Sequence, residues 1–199
     1  MIILDLNNKT INFVKEVSNA IHDGKIVVLP FDTVYGFACD PRDEKALQKI
    51  YELKKRPVNK TIGLAVSNIK MMNSLTKLTS AQKEYIAERI PGKFTFILKN
   101  EAGSSISKSC VQNGTVGVRI PDSELILKIT EACGGIIAQT SANISGQLNC
   151  FSLTDLRQQY SEQFLSRIDL IIDGGKLDNV SPSRLIDLTG KSPKEIERK

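Results

Sequence analysis

The chain has a single histidine, His22, and that scarcity removes several enzyme classes at once. A Ser-His-Asp triad, a Cys-His pair and an HExxH zinc site each need a histidine held against other reactive groups. His22 instead falls near the end of a helical pattern, where an imidazole ordinarily interacts with the negative helix end. The four cysteines, Cys39, Cys110, Cys133 and Cys150, show neither close pairing nor metal-ligand spacing. They read as reduced thiols of a cytoplasmic protein, not as a disulfide framework, and no metal site is expected. No stretch approaches the roughly 18 apolar residues of a membrane span, and MIILDLNNK lacks the basic leader and long apolar run of an export signal. Aromatic residues make up only 6% of the chain and are not interleaved with basic runs as in a base-stacking platform. A glycine fingerprint for nucleotides is missing too. There is no GxGxxG, and Gly190-Lys191-Ser192 is only the end of a phosphate loop: Leu185 stands where its first glycine belongs, and Pro193 spoils the following helix.

What is present is an ordinary globular composition with a mild basic excess. At 199 residues one domain over 1–199 is expected, and 27 Lys and Arg against 22 Asp and Glu give a net charge of +5. Such a balance favours polyanions without establishing a nucleic-acid protein. Short β-branched runs alternate with helical patterns. Strands are expected at 2–6, 25–29, 62–66, 94–98, 115–121, 136–139, 170–175 and 184–189, and helices at 11–22, 42–54, 80–90, 123–133 and 153–164. The segment 100–113, rich in small polar residues, reads as a long mobile loop of the kind that forms lids. The alternation predicts an α/β fold with a mixed sheet.

The stretch 25–60 organises the rest. A covered strand, Lys25 to Leu29, leads into a polar and aromatic loop, Pro30 to Pro41, and then a helix, Arg42 to Lys54, that buries Ala46, Leu47, Ile50 and Leu53. Pro57 is expected to stop that helix, leaving Lys54, Lys55, Arg56 and Lys60 as a cationic cluster facing Asp32, Thr33 and Tyr35. Such an array suits an anionic ligand, although KKRPVNK taken alone also reads as a solvated helix end. TSANISG (140–146) follows a buried strand directly. Its hydroxyl and amide groups fit either a ligand-holding turn at a strand's carboxyl end or a self-satisfied cap. Arg119, inside the apolar VGVRI, needs either an ion-pair partner or a ligand carboxylate, and Asp187 in LIDLT has the same two readings.

Taken together, PFDTVYGFACD, LKKRPVNK, PGKFTFIL, TVGVRIPD, TSANISG and SPSRLIDLTG resemble, in order and over nearly the whole chain, the YrdC/TsaC family of L-threonylcarbamoyladenylate synthases, short single-domain type. The family's Lys-x-Arg signature falls on Lys54 and Arg56, and its Ser-x-Asn signature on Ser141 and Asn143. The resemblance implies a single twisted mixed sheet flanked by helices, with a concave basic cleft. It implies condensation of L-threonine, bicarbonate and ATP (with Mg²⁺) to threonylcarbamoyl-AMP and pyrophosphate. Downstream threonylcarbamoyl-transferase proteins would use the product to modify tRNA beside the anticodon, and direct tRNA contact is possible. By position, Lys54 and Arg56 would be catalytic. Arg56, Lys60, Thr115, Ser141, Asn143 and Arg198 would bind ATP, and Thr33, Arg119, Gln139 and Ser183 would bind threonine. A non-catalytic RNA-binding module of the same fold is the alternative. Two departures lie near the implied threonine pocket: Phe31 replaces a usual threonine, and Ser183-Arg184 replaces a frequent Ser-Thr.

Overall fold

The computed structural model describes residues 1–57, 60–178 and 180–197. In chain order the elements are β1 (Ile2–Asp5), α1 (Phe13–His22), β2 (Val27–Pro30), β3 (Tyr35–Cys39), α2 (Glu44–Lys54), β4 (Gly63–Val66), α3 (Ile69–Thr76) and α4 (Ser80–Ala87). Then come β5 (Phe94–Lys99), β6 (Thr115–Arg119), α5 (Glu124–Ala132), β7 (Ile136–Ser141), α6 (Leu153–Gln159), α7 (Glu162–Leu165), β8 (Leu170–Asp173), β9 (Arg184–Asp187) and β10 (Lys194–Ile196). The ten strands form one mixed sheet in the order β1-β8-β2-β3-β7-β4-β6-β5-β9-β10. Four neighbouring pairs, β1/β8, β8/β2, β4/β6 and β5/β9, are parallel and the rest antiparallel. Among the described residues no helix is long and apolar enough to cross a membrane.

Strand residues alternate between two cores, as the pleat requires. One face buries Val28, Phe37, Leu64, Phe96 and Val118 with residues of α2, α3, α4 and α6. The other buries Val27, Leu29, Ala38, Ala65 and Ile137 against Val17 and Ile21 of α1 and Ile126 and Ile129 of α5. These two helices pack on each other and reach the sheet mainly at β2, β4 and β7. Further along the same face, over β6, β5 and β9, most upward residues are small or polar, Thr115, Gly117 and Arg119, then Thr95 and Ser183, with Ile97 and Leu185 among them. Such a surface offers a helix little apolar area to bury, and this part of the sheet lines a cavity instead.

Several expectations change. The loop expected over Pro30 to Pro41 contains β3, whose five residues are all buried. Covered on both faces, it shows no polar alternation to mark it as a strand. Tyr35 therefore does not face the cations; its hydroxyl donates to Gly175 O at 2.7 Å and accepts from Gly174 N. The helix α2 ends at Lys54, as expected, but it is Lys55, in a left-handed conformation with φ 47°, that stops it and not Pro57. The expected helix 153–164 breaks into α6 and α7, because Ser161 caps the second by accepting from Phe164 N. α3 and β10 were not expected; the latter adds a strand after the one expected to be last.

The 100–113 segment is tied down. Glu44 accepts from the hydroxyls of Ser107 and Ser109, Ser107 N donates to Pro41 O, and the segment turns through a short 3-10 helix onto buried Cys110. It forms a strap across the start of α2.

Candidate active site

The open part of the sheet is the floor of a cavity of about 500 Å³. Thr115, Gly117 and Arg119 of β6, Thr95 and Ile97 of β5, Gln139 and Ser141 of β7, Gly63 of β4 and Leu185 of β9 rise into it. Walls come from Thr33 before β3, from Arg56, Lys60 and Thr61 after α2, from Gln112 at the end of the strap, and from Pro182 and Ser183 before β9. Among the described residues the lining holds three cations, Arg56, Lys60 and Arg119, and no carboxylate. Eight of the residues expected from the resemblance meet here: Thr33, Arg56, Lys60, Thr115, Arg119, Gln139, Ser141 and Ser183.

Arg56 is half-buried, and its guanidinium donates to two backbone carbonyls, Nε to Lys60 O at 2.9 Å and Nη2 to Thr61 O at 2.6 Å. Burial lowers its pKa, and no carboxylate offsets that cost. Its charge is thus left for whatever enters the cavity. Lys60, exposed, adds a second charge at the rim.

Arg119 behaves differently. Its Nη2 donates to both oxygens of Asp32, at 2.7 and 2.5 Å, in an ion pair whose side chains are each 3% exposed. Asp32 also accepts from Asp122 N. Of the two readings of Arg119, the ion pair is therefore realised. Yet its Nε, buried, has no hydrogen-bond partner among the described residues. A buried unpaired donor on the wall of a cavity is costly, and a ligand acceptor would relieve it. Thr95 Oγ1 and Ser183 Oγ, both buried, lie 2.8 Å apart on the floor. Asp187 holds its own turn, accepting from Thr189 N and Oγ1.

Lys54 and Asn143 are not on the lining. Lys54 is 1% exposed and lies behind the end of β7, its Nζ donating to the carbonyls of Ser141 and Asn143. Burial, with the Arg56 charge adding to it, pushes its pKa down to about 7. Asn143 accepts from Ser141 Oγ at 2.5 Å and donates to Ile144 O and Gln147 O. In TSANISG the self-satisfied cap is realised at Asn143, which accepts the Ser141 hydroxyl, while Ser141 also lines the cavity. Arg198 lies outside the described residues.

Both departures stand off the site. Phe31 is buried beside α1 and α5, its ring packed on Gly36, where a Cβ would come within 2.9 Å. Arg184 is exposed and pairs with Glu195 of β10, over the ring of Phe94. Sequence reasoning set Asp32 against the cations without naming Arg119 as its partner, and did not assign Thr95 or Gln112 to the site. The alternation in FTFIL, with Phe96 and Leu98 inward, could have placed Thr95 on the open face; nothing local marks Gln112. A second cavity, about 620 Å³, lies around 190–193 and holds none of the expected site residues.

A family model for Sua5, YciO and YrdC proteins, described as telomere recombination, matches residues 19–199. The threonylcarbamoyl-AMP synthase of Pyrococcus abyssi is 34% identical over 176 residues, covering 87% of this chain and 50% of that protein. The threonylcarbamoyl-AMP synthase of Escherichia coli O6:H1 is 29% identical over 189 residues, 93% of this chain and 96% of that one. The crystal structure of P. abyssi Sua5 with L-threonine superposes with a TM-score of 0.86 at 29% identity, over 98% of this chain and 56% of that chain. The chain thus spans about half the length of the archaeal relative and nearly all of the bacterial one. A family match extending over all but the first 18 residues, on a fold shared with Sua5, establishes that the chain belongs to the Sua5/YciO/YrdC family.

Proposed function

We propose that this cavity makes L-threonylcarbamoyladenylate from L-threonine, bicarbonate and ATP, so that the chain is a nucleotidyltransferase acting as one unit over 1–199. The observation that carries the reading is the convergence of eight family-matched residues on one cavity with three cations and no carboxylate. Threonine's amine and bicarbonate first give a carbamate and water. The carbamate oxygen then attacks the α-phosphorus of ATP, and pyrophosphate leaves with the electron pair of the broken P–O bond.

That nucleophile is already anionic, so the adenylation step needs no histidine. It needs alignment, worth about 7 to 11 kcal/mol of barrier in well-oriented reactions, and positive charge where phosphate charge develops. Arg56 and Lys60 supply the charge, with Thr115 and Ser141 contacting the nucleotide. Arg119 offers its free Nε to the threonine carboxylate, and Thr33, Gln139 and Ser183 surround the rest of the amino acid. The nearby cations also favour the neutral amine that carbamate formation requires. Among the described residues the lining has no carboxylate to hold a metal, so a Mg²⁺ would be carried by the nucleotide's own phosphates. The product would serve cytoplasmic transferase proteins that modify tRNA.

The test is mass spectrometry of the product formed with ¹³C-bicarbonate, together with threonine-dependent release of pyrophosphate. Label in a threonylcarbamoyl-AMP peak supports the reading. RNA affinity with a steep salt dependence and no turnover would replace it with a binding module.

A further inference from the structure

Tyr51 stands about one turn before the end of α2, is 6% exposed and does not line the cavity. A phenylalanine would fill the same space, and burying a hydroxyl costs free energy unless it is hydrogen-bonded. The Tyr51 hydroxyl donates to two carbonyls, Lys60 O at 2.9 Å and Ser109 O at 3.1 Å. Neither carbonyl depends on it. Lys60 O also accepts from Arg56 Nε at 2.9 Å, and Ser109 O from Ile62 N at 3.1 Å. The phenol thus repairs no orphaned acceptor; it joins two pieces of chain that are far apart in sequence. At its main chain, Tyr51 O accepts from Arg56 N at 2.9 Å. Arg56 is therefore held by Tyr51 twice, directly at its backbone and, through Lys60 O, at its guanidinium. Ser109 belongs to the strap, whose hydroxyls at 107 and 109 are held by Glu44. One path of bonds runs from Glu44, through the strap and the phenol, to a cation on the cavity wall.

We infer that Tyr51 is a positioning residue for the nucleotide's phosphates: its hydroxyl clamps Lys60 O to Ser109 O and so fixes the 60–62 segment on which the Arg56 guanidinium rests. The inference rests on the proposed function only for the phosphates; the clamp on Arg56 stands on the bonds themselves. Arg56 Nε and Nη2 both donate to this segment, at Lys60 O and Thr61 O, and Lys60 adds its own charge to the lining. A shift of the segment moves two of the three cavity cations together and leaves Arg119, on β6, in place. Loosening the clamp should therefore act on the triphosphate and spare the amino acid.

The experiment uses the full chain with Tyr51→Phe, Glu44→Ala and the double variant. Tyr51→Phe keeps the ring and leaves each carbonyl one donor, so its urea midpoint is expected to stay close to that of the wild type. Its KM for ATP in threonine-dependent pyrophosphate release is expected to rise about 2- to 12-fold, the net contribution of one hydrogen bond, with the KM for threonine unchanged. Glu44→Ala releases the strap and is expected to raise the KM for ATP as well. Because both changes act on one path, the double variant should rise by less than the product of the two. An unchanged KM for ATP in Tyr51→Phe, an equal rise for threonine, or effects that simply multiply overturn the inference. A second readout needs no turnover: solvent exchange of the Arg56 Nε–H, followed in ¹H–¹⁵N spectra and assigned by its loss in Arg56→Lys. Faster exchange in Tyr51→Phe supports the clamp, and an unchanged rate overturns it. Should Tyr51→Phe not fold, the same comparison in Glu44→Ala decides. If the wild type releases no pyrophosphate, the proposed function falls, while the exchange rate still tests the clamp.

Discussion

Replacing Lys54 by methionine sets two opposed terms against each other, and pH separates them. The lysine is pushed from its ordinary 10.5 to about 7, which at about 1.4 kcal/mol per tenfold change in proton affinity is a burial cost of at most about 5 kcal/mol. The oxygens around Nζ favour the charged form, so that figure is a ceiling. Methionine removes this cost but orphans the carbonyls of Ser141 and Asn143, at about 1 to 3 kcal/mol each. Near pH 7 the two terms roughly cancel, and a single stability measurement decides nothing. The dependence on pH does. Between about 7 and 10.5 the unfolded lysine holds a proton that the native one lacks, so the wild type gains stability as pH rises; below 7 the full cost is present. The orphaned carbonyls do not titrate. Relative to Lys54→Met, the wild type should therefore gain up to about 2 kcal/mol between pH 7 and 9. Urea unfolding of both proteins at pH 7, 8 and 9 measures it. Subtracting one from the other removes the shared fall above pH 8.5 expected from thiols such as Cys110, which burial pushes up to about 12. Parallel curves would refute the reasoning.

Nucleotide binding should couple to the same proton. A triphosphate beside Arg56 offsets the charge that helps depress Lys54, so calorimetry near pH 7.5 in buffers of different ionisation enthalpy should show uptake of a fraction of a proton, absent in Lys54→Met. Asp32→Ala leaves the Arg119 charge buried and unpaired, at a cost of about 3 to 5 kcal/mol in urea unfolding, and Asp32→Leu with Arg119→Met should recover most of it. Arg119→Ala should raise the KM for threonine well above that for ATP; an unchanged threonine KM would remove Arg119 from that subsite. Serine, which keeps the hydroxyl and lacks one methyl, should be turned over with a kcat/KM about 10- to 200-fold below that of threonine, and complete rejection would mean a tighter pocket than hydroxyl recognition requires.

Most of the site was legible only through the resemblance, since Thr33, Arg56, Lys60 and Ser183 sit outside the strands; periodicity adds only the face of those that lie in them. TVGVR, by its alternation alone, declares Val116 and Val118 as core and Thr115 and Arg119 as the other face. What the sequence hides is which faces are covered. β3, covered on both, lost the alternation that marks a strand, and its polar neighbours made the region read as a loop. The cluster Lys54, Lys55, Arg56 looks uniform, yet a left-handed Lys55 sends its members apart: Lys54 inward, Lys55 to solvent and Arg56 to the cavity wall. Composition made 100–113 look mobile, because the carboxylate that holds its serines, Glu44, lies over sixty residues away in sequence.

The two-sided floor also limits how this chain can change length. Inserting or deleting one residue in β6 would turn Val116 and Val118 up into the cavity and drive Arg119 into the opposite core, losing binding and packing in one event. Point substitutions at upward positions meet no such double penalty. Natural variants should accordingly differ from one another by exchanges on the floor and by length polymorphism in connecting segments, with the residue count of β5 and β6 held constant.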